Sequence, residues 1–345
     1  MRLVMTLLAR DEADIVDAQI AFHLHAGVDF VVATDNASSD GTTEILERYE
    51  QAGVLHLLRE SGDDMRQDQW VSRMACLAAT EYGADWVINS DADEFWWPRA
   101  GTLKDVLALV PGRYGIVRGC WRHFLPRPAD DAFFAERMTV RLAAPAHPGD
   151  KKTIFHAHQK VAHRAHADIE VEHGNHNVVA PGLEPLRAWH PIEVLHFSFR
   201  STEQLERKAR GGWLRIPCLP PSVHQTRLDE AVRHGRAAEF YESFAIGEHA
   251  LAQGLAEGTL AIDTRLRDAF RALRRPDGSF ALPGDCPPLA FPHPDVRDDA
   301  ALAAEIAPLE EIDGLVRASA RVDALESRLT HLEHGPSRWL RKLAP

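Results

Sequence analysis

The sequence predicts an α/β fold with a mostly parallel central sheet flanked by helices and a helical extension at its C-terminal end. Three observations predict it. Short apolar runs alternate with amphipathic helical patterns through the first hundred residues, glycines stand where those helices should stop, and acidic residues follow the apolar runs where parallel strands would end. The first run, Leu3 to Ala9, is too short to cross a bilayer and leads directly into Arg10-Asp11-Glu12, so it reads as a buried first strand. Ile15 to Ala26 forms an amphipathic helix closed by Gly27. A strand from Phe30 to Thr34, a helix from about Gly41 to Gln51 and a stop at Gly53 make the second unit. Val54 to Leu58 is a third strand, a helix runs from about Met65 to Tyr82, and Trp86 to Ser90 is the fourth strand. Ligands of such a sheet are expected at the carboxyl ends of its strands.

Beyond Asp93 the pattern is less regular. Thr102-Leu103-Lys104-Asp105 has the spacing of a capping box, and residues 111 to 200 read as shorter strands among Pro- and Gly-rich loops with many histidines. A helix is expected from Thr202 to Arg210, a longer helical stretch from about Leu228 to Leu273, and a Pro-rich linker from Pro276 to Pro294. Leu315, Val322 and Leu329 repeat every seven residues, as in a short coiled coil that either packs back or pairs two copies. Ser337 to Leu343 mixes basic and apolar residues, which suits peripheral membrane contact; a frayed tail is the plain alternative. The expected division is 1–215, 216–300 and 301–345.

Composition narrows the function classes. A formal net charge of -12 argues against a general nucleic-acid binder. Cys76, Cys120, Cys218 and Cys286 are far apart with no C-x-x-C spacing, so neither a zinc module nor a disulfide framework is expected, and a reducing cytoplasm is the natural location.

The chemistry is concentrated in Trp86-Val87-Ile88-Asn89-Ser90-Asp91-Ala92-Asp93-Glu94-Phe95. Side chains two apart on a strand share a face, so Asp91 and Asp93 are placed to aim oxygens at one point where the strand ends. Hard oxygen ligands suit Mg²⁺ or Mn²⁺, which neutralise phosphates. An acidic turn after an apolar strand is equally what a plain turn looks like.

The order of motifs is more specific than any one of them. Asp11-Glu12-Ala13-Asp14, Asp35-Asn36-Ala37-Ser38-Ser39-Asp40-Gly41-Thr42, Asp91-Ala92-Asp93-Glu94-Phe95 and His196-Phe197-Ser198-Phe199-Arg200-Ser201 occur in sequence. This resembles the family 2 glycosyltransferases with a GT-A fold, in the subgroup that reads N-E-A, D-N-x-S-x-D-G-T, D-x-D-E-F and H-F-x-x-R-S. The resemblance covers residues 1 to 212, and Asp11 stands where that subgroup usually has Asn.

The resemblance implies a nucleotide-sugar donor, a saccharide or glycolipid acceptor, and Mn²⁺ or Mg²⁺. Asp35 and Asn36 would meet the nucleotide base, and a carboxylate there can accept an imide N–H. Arg10, Asp11, Glu12, Arg73, Asp91, Lys160 and Arg200 would complete the donor site, Arg200 by forked hydrogen bonds to the diphosphate. Asp40 more naturally caps the helix that follows it. Asp91, Asp93 and His196 would hold the metal. Glu94 would meet sugar hydroxyls, with Trp96 and Trp97 stacking on a sugar ring or packing in the core. An inverting transfer needs a base, and the segment Glu172-His173-Gly174-Asn175-His176 offers His176 or, as the conventional carboxylate, Glu172.

Three rival readings share some of these features. A haloacid-dehalogenase-type phosphatase also places D-x-D after an apolar strand, but near the N-terminus and followed by x-Thr or x-Val. A sugar nucleotidyltransferase needs a Gly-rich loop after the first strand, where Arg10-Asp11-Glu12-Ala13 has no glycine. A catalytically idle nucleotide-sugar-binding protein of the same fold would be expected to lose Asp91 or Asp93; both are present.

Overall fold

The computed structural model describes residues 1–61, 66–128, 132–147, 153–187, 189–210, 223–287, 289–291, 307–309 and 311. In chain order the elements are β1 (Leu3–Ala9), α1 (Val16–His25), β2 (Phe30–Asn36), α2 (Thr42–Gln51), β3 (Leu55–Glu60), α3 (Gln67–Thr80), β4 (Trp86–Asp91), β5 (Glu94–Pro98), α4 (Leu103–Ala108) and β6 (Ile116–His123). They continue with α5 (Phe134–Arg137), β7 (Val140–Leu142), β8 (Gln159–Arg164), β9 (Glu170–Val171), β10 (Val178–Val179), β11 (Ile192–His196) and α6 (Thr202–Arg210). The last are α7 (Val223–Arg233), α8 (Ala237–Glu242), α9 (Glu248–Glu257), β12 (Leu260–Ile262) and α10 (Arg265–Leu273).

Eight strands form one sheet in the order β3-β2-β1-β4-β8-β6-β11-β5. It is a mixed α/β architecture whose sheet runs parallel except at β8 and β5, which pair antiparallel with their neighbours. β1 has β2 on one side and β4 on the other, so the chain reverses its direction of travel across the sheet between β1 and β4. That is where an open α/β sheet leaves a crevice at the carboxyl ends of its strands. Register brings the motifs there: Leu8 lies opposite Asp91, Ala9 opposite Asp35, and His196 opposite both Glu94 and His123.

The alternation within β1 explains why its apolar run is continuous. Leu3, Met5 and Leu7 enter the core layer built with α1, while Val4 and Leu8 enter the layer under α3, so both faces are covered. Gly27, at φ 115°, ends α1 in a conformation few side chains adopt. Thr102 and Asp105 make both bonds of the capping box, as their spacing predicts.

Two expectations change. The long helical stretch from Leu228 to Leu273 is instead α7, α8, α9, β12 and α10, with Gly235 and Gly258 at φ 67° and 70° breaking it. The residues after Asp93 are not irregular. They form β5, which is buried throughout and pairs with β11 at the sheet edge. Phe270, Phe280 and Phe291 share the core of Phe22 and Phe95, so α10 and the segment after it pack on the same layer as the first strands. The heptads at 315–329 and the basic tail lie outside the described residues, and no described helix is long and apolar enough to cross a membrane.

His23 connects α1 to β5. Its Nδ1 donates to the Gln19 carbonyl at 2.7 Å, which leaves Nε2 to accept the Trp96 N–H at 3.1 Å. This geometry requires a neutral ring, and burial depresses its pKa to about 4. Burial likewise holds His123 and His163 at about 4. Because the folded values lie below the unfolded 6.5, their contribution is complete above pH 6.5 and is lost as pH falls through about 4. Stability should therefore drop steeply over that window. A His23→Gln variant should lose about one proton from the slope, ~1.4 kcal/mol per pH unit, in urea unfolding across pH 4 to 7. An unchanged slope would contradict the neutral, buried assignment.

Candidate active site

β4 ends at Asp91, and the chain turns through Ala92 and Asp93 before β5 begins at Glu94. The turn takes Asp93 out of strand alternation, so the two aspartates do not aim at one point as a continuous strand would make them. Asp91 faces Lys160, whose Nζ lies 2.5 Å from Oδ2, and its Oδ1 accepts from Asn175 at 3.0 Å and Gln67 at 3.3 Å. Asp93 instead meets Lys208 at 2.9 Å, His196 Nε2 at 3.7 Å and Arg200 at 3.9 Å.

Lys160 and Glu94 form the floor beneath this pair. Lys160 is 1% exposed and also reaches Glu94 at 3.0 Å and the Gly174 carbonyl at 2.6 Å. Burial opposes its charge, but Asp91 and Glu94 outweigh burial and hold the ammonium well above its ordinary pKa. Glu94 is wholly buried, accepts from Trp121 Nε1 at 2.9 Å and from the Asp91 N–H at 3.2 Å, and is pushed up to about 8, chiefly by burial. Gly174 is what lets the backbone approach: a Cβ there would lie 2.6 Å from the His176 ring.

Arg200, expected to grip a diphosphate, is 1% exposed and fully engaged. Its Nε bonds Asp14 at 2.7 Å, its Nη2 bonds Glu12, and its Nη1 bonds the Phe197 carbonyl at 3.2 Å. Burial works against the guanidinium charge, and Asp14 and Glu12 more than restore it. Asp93 is also buried, yet Lys208, His196 and Arg200 hold its carboxyl well below the usual range. Glu12 moves the other way, raised by burial despite Lys208 and Arg200.

The loops above β1 and β2 carry backbone strain. The described non-glycine residues at positive φ are Asp11 at 53°, Ala37 at 54° and Asn175 at 59°, and all three border this crevice. Strain of this kind persists where the surroundings over-determine it. Asp11 accepts the Ser39 N–H at 2.7 Å and donates its own N–H to Ser38 Oγ at 3.0 Å, so the two loops are laced together. Asp35 is buried, with Oδ1 accepting from Ser38 N–H at 3.2 Å and Oδ2 from Thr43 Oγ1 at 2.6 Å. Asn36 contacts Arg10 at 3.4 Å. Asp40 lies one residue before the N-cap, Gly41, and accepts the Thr42 N–H at 3.1 Å, so α2 has no side-chain cap.

An aromatic wall stands opposite. Trp121 stacks on His196 at 4.1 Å and meets His176 edge-on at 5.5 Å, while His158 and His176 stack at 3.6 Å. His176 Nδ1 donates to the Gln159 carbonyl at 2.8 Å, leaving Nε2 basic. Burial, Lys160 and His158 keep its pKa well below 6.5.

Several sequence expectations are corrected. Trp96 is wholly buried and Trp97 is 4% exposed, packed on Phe22 and Phe291, so neither offers a ring to a sugar. Glu94 and Lys160 are buried in the floor, where they pair with each other. Arg73 pairs with Glu60 at 2.6 Å beside β3, apart from the Asp93 cluster. Glu172, the alternative base, is exposed and accepts from Asn177 at 3.0 Å, which leaves that alternative open. Lys208 and Trp121 were not singled out by motif: a lysine on a helix face and a tryptophan on a strand carry no distinctive spacing.

A divalent cation fits the residues present. Asp93, Glu94 and His196 bring two carboxylate oxygens and a ring nitrogen within 4.8 Å of one another. Carboxylates suit Mg²⁺ and Mn²⁺, and the imidazole favours the transition ion. Asp91, expected in this set, stands outside it, with its oxygens on Lys160, Asn175 and Gln67.

The model of glycosyltransferase family 92 matches residues 6–181, just over half of the chain and all of the crevice except the β11–α6 segment. The chain belongs to glycosyltransferase family 92. The matching family is thus a different one from family 2, to which the motif order points, and the phosphatase reading falls away. No curated protein matches. Among solved structures, TarS 1-349 of S. aureus in complex with UDP is similar at 11% identity and TM-score 0.33, over 83% of this chain and 98% of that one. Glucosyl-3-phosphoglycerate synthase of Mycobacterium tuberculosis, in complex with Mn²⁺, UDP and phosphoglyceric acid, is similar at 18% identity and TM-score 0.26, over 35% and 43%. Likeness at this level transfers no residue role to this family 92 chain.

The buried floor has a direct test. Lys160→Met leaves Asp91 and Glu94 without their shared cation and should destabilise the protein by roughly 3 kcal/mol, as breaking a buried ion pair does. Urea unfolding measures it; a loss below about 1 kcal/mol would mean the site is solvated rather than sealed.

Proposed function

We propose that this family 92 protein transfers a sugar from a nucleotide-diphosphate donor, a UDP-sugar above others, to a hydroxyl of a saccharide or glycolipid, with inversion and with Mn²⁺ or Mg²⁺ as cofactor. The observation that carries the reading is the Asp93 and His196 pair facing one another in the crevice at the carboxyl ends of β4 and β11. Asp35 supports a uracil base, since each of its oxygens keeps a lone pair after the bonds to Ser38 and Thr43.

In this reading the base lies over the strained loops after β1 and β2, and the diphosphate over Asp93. A bound divalent cation at Asp93, Glu94 and His196 would supply positive charge against the leaving nucleotide. The acceptor hydroxyl approaches along the Trp121 wall. Its oxygen forms the new bond to the anomeric carbon as the bond from that carbon to the diphosphate oxygen breaks, on opposite faces. Its proton passes to His176 Nε2, which is free because Nδ1 is held by Gln159. A nucleotide donor supports a reaction in the cytoplasm with surface polysaccharide as the product, the basic and apolar mixture at 337–343 supports a peripheral membrane contact, and the heptads support either packing back or pairing of two copies.

A transfer and hydrolysis assay over UDP-, GDP- and dTDP-sugars, with Mn²⁺ or with chelator, tests this. Turnover should need the cation and favour a UDP-sugar. Asp93→Asn should abolish it while unfolding as the wild type does, and His176→Ala should lose ~10²–10⁴-fold. Cation-independent turnover, or an active Asp93→Asn variant, would defeat the proposal, and a His176→Ala loss below about tenfold would move the base to Glu172.

A further inference from the structure

Among the described residues, Lys208 is the one cation at the Asp93 cluster with a way out. It lies in the last turn of α6, its side chain is 21% exposed, and its only hydrogen-bond acceptor among the described residues is Asp93, with Glu12 at 3.6 Å. Arg200, by contrast, is held by Asp14, Glu12 and the Phe197 carbonyl, and Lys160 by Asp91, Glu94 and the Gly174 carbonyl. Among the described residues Asp93 thus has a single hydrogen-bonded cation, a compact ammonium on a flexible stem.

We propose that Lys208 is an exchangeable counter-ion, neutralising Asp93 while the site lacks a divalent cation and turning to the donor diphosphate when the cation binds. This rests on the cation-dependent transferase reading above. Two like charges on one buried carboxylate repel, so a cation on Asp93 disfavours the present Lys208 contact. A phosphate oxygen then offers the ammonium a partner of the same sign and chemistry as the carboxylate it leaves. Glu12 guides the exchange: placed between Arg200 and Lys208, it keeps a second carboxylate within reach of the ammonium throughout. The consequence is ordered binding. The cation competes with Lys208, and the diphosphate gains what Asp93 gives up.

The two effects have opposite signs, which separates exchange from a merely structural lysine. Isothermal titration of the full chain with Mn²⁺ alone, and with UDP at saturating Mn²⁺, should show Lys208→Met binding Mn²⁺ at least threefold more tightly and UDP at least tenfold more weakly than wild type. Lys208→Gln provides the same comparison with a polar replacement, and thermal unfolding confirms that both variants fold. Unchanged or weaker Mn²⁺ binding in both variants would overturn the inference, as would unchanged UDP binding. If the wild type itself binds UDP with no dependence on Mn²⁺, the transferase reading's cation and the exchange fall together. A wild type that behaves as proposed with unaltered variants removes the exchange alone.

Discussion

Arg200 carries a full positive charge into the interior of the protein, and Glu12 and Asp14 from the loop after β1 meet it there with carboxylates. Removing these ions from water costs several kcal/mol each, which only close pairing and satisfied hydrogen bonds offset. The consequence is positional. Asp14 and Arg200 stand 186 residues apart in sequence, and their contact fastens the start of the sheet to the β11–α6 segment. His196 precedes Arg200 by four residues and Lys208 follows it by eight, so fastening Arg200 delivers both to Asp93. Arg137 and Tyr241 bond the Arg200 carbonyl from the other side, which commits α5 and α8 to the same arrangement.

The floor under that cluster follows the same logic. Lys160 is a buried cation that uses two of the three carboxylates of the run Asp91 to Glu94, leaving Asp93 as the one that faces the crevice with other partners. The chain tolerates left-handed backbone at Asp11, Ala37 and Asn175 around it because side-chain bonds hold each neighbouring loop: Ser38 and Ser39 at Asp11, and Asp91 at Asn175. A preorganised polar crevice of this kind loses little on meeting a charged ligand, which is what electrostatic catalysis requires.

The first strands are legible in the sequence because β1, β2 and β4 are buried on both faces and β3 alternates, and glycines stand where the helices between them stop. The chemistry of the Asp91 to Phe95 run is legible as a class and misleading in detail. A two-residue spacing implies a shared face only while the strand continues, and here it turns at Ala92. Trp96 and Trp97 look like sugar platforms beside an acidic motif, yet β5 is an inner edge packed on α1 and α10, and burial takes them both. Arg200 and Lys160 are found by motif, but a motif does not show that a neighbouring carboxylate has already claimed the charge. Lys208 is invisible because its meaning arises only from contact with Asp93, 115 residues away.

The proposed cation site at Asp93 and His196, beneath a nucleotide diphosphate, is open to direct observation. Anomalous diffraction from crystals grown with Mn²⁺ and UDP measures this without reference to turnover. The expected result is a manganese peak bounded by Asp93, Glu94 and His196, with UDP lying over the loops that follow β1 and β2. A manganese peak on other residues, or UDP bound with no manganese at Asp93, would contradict it.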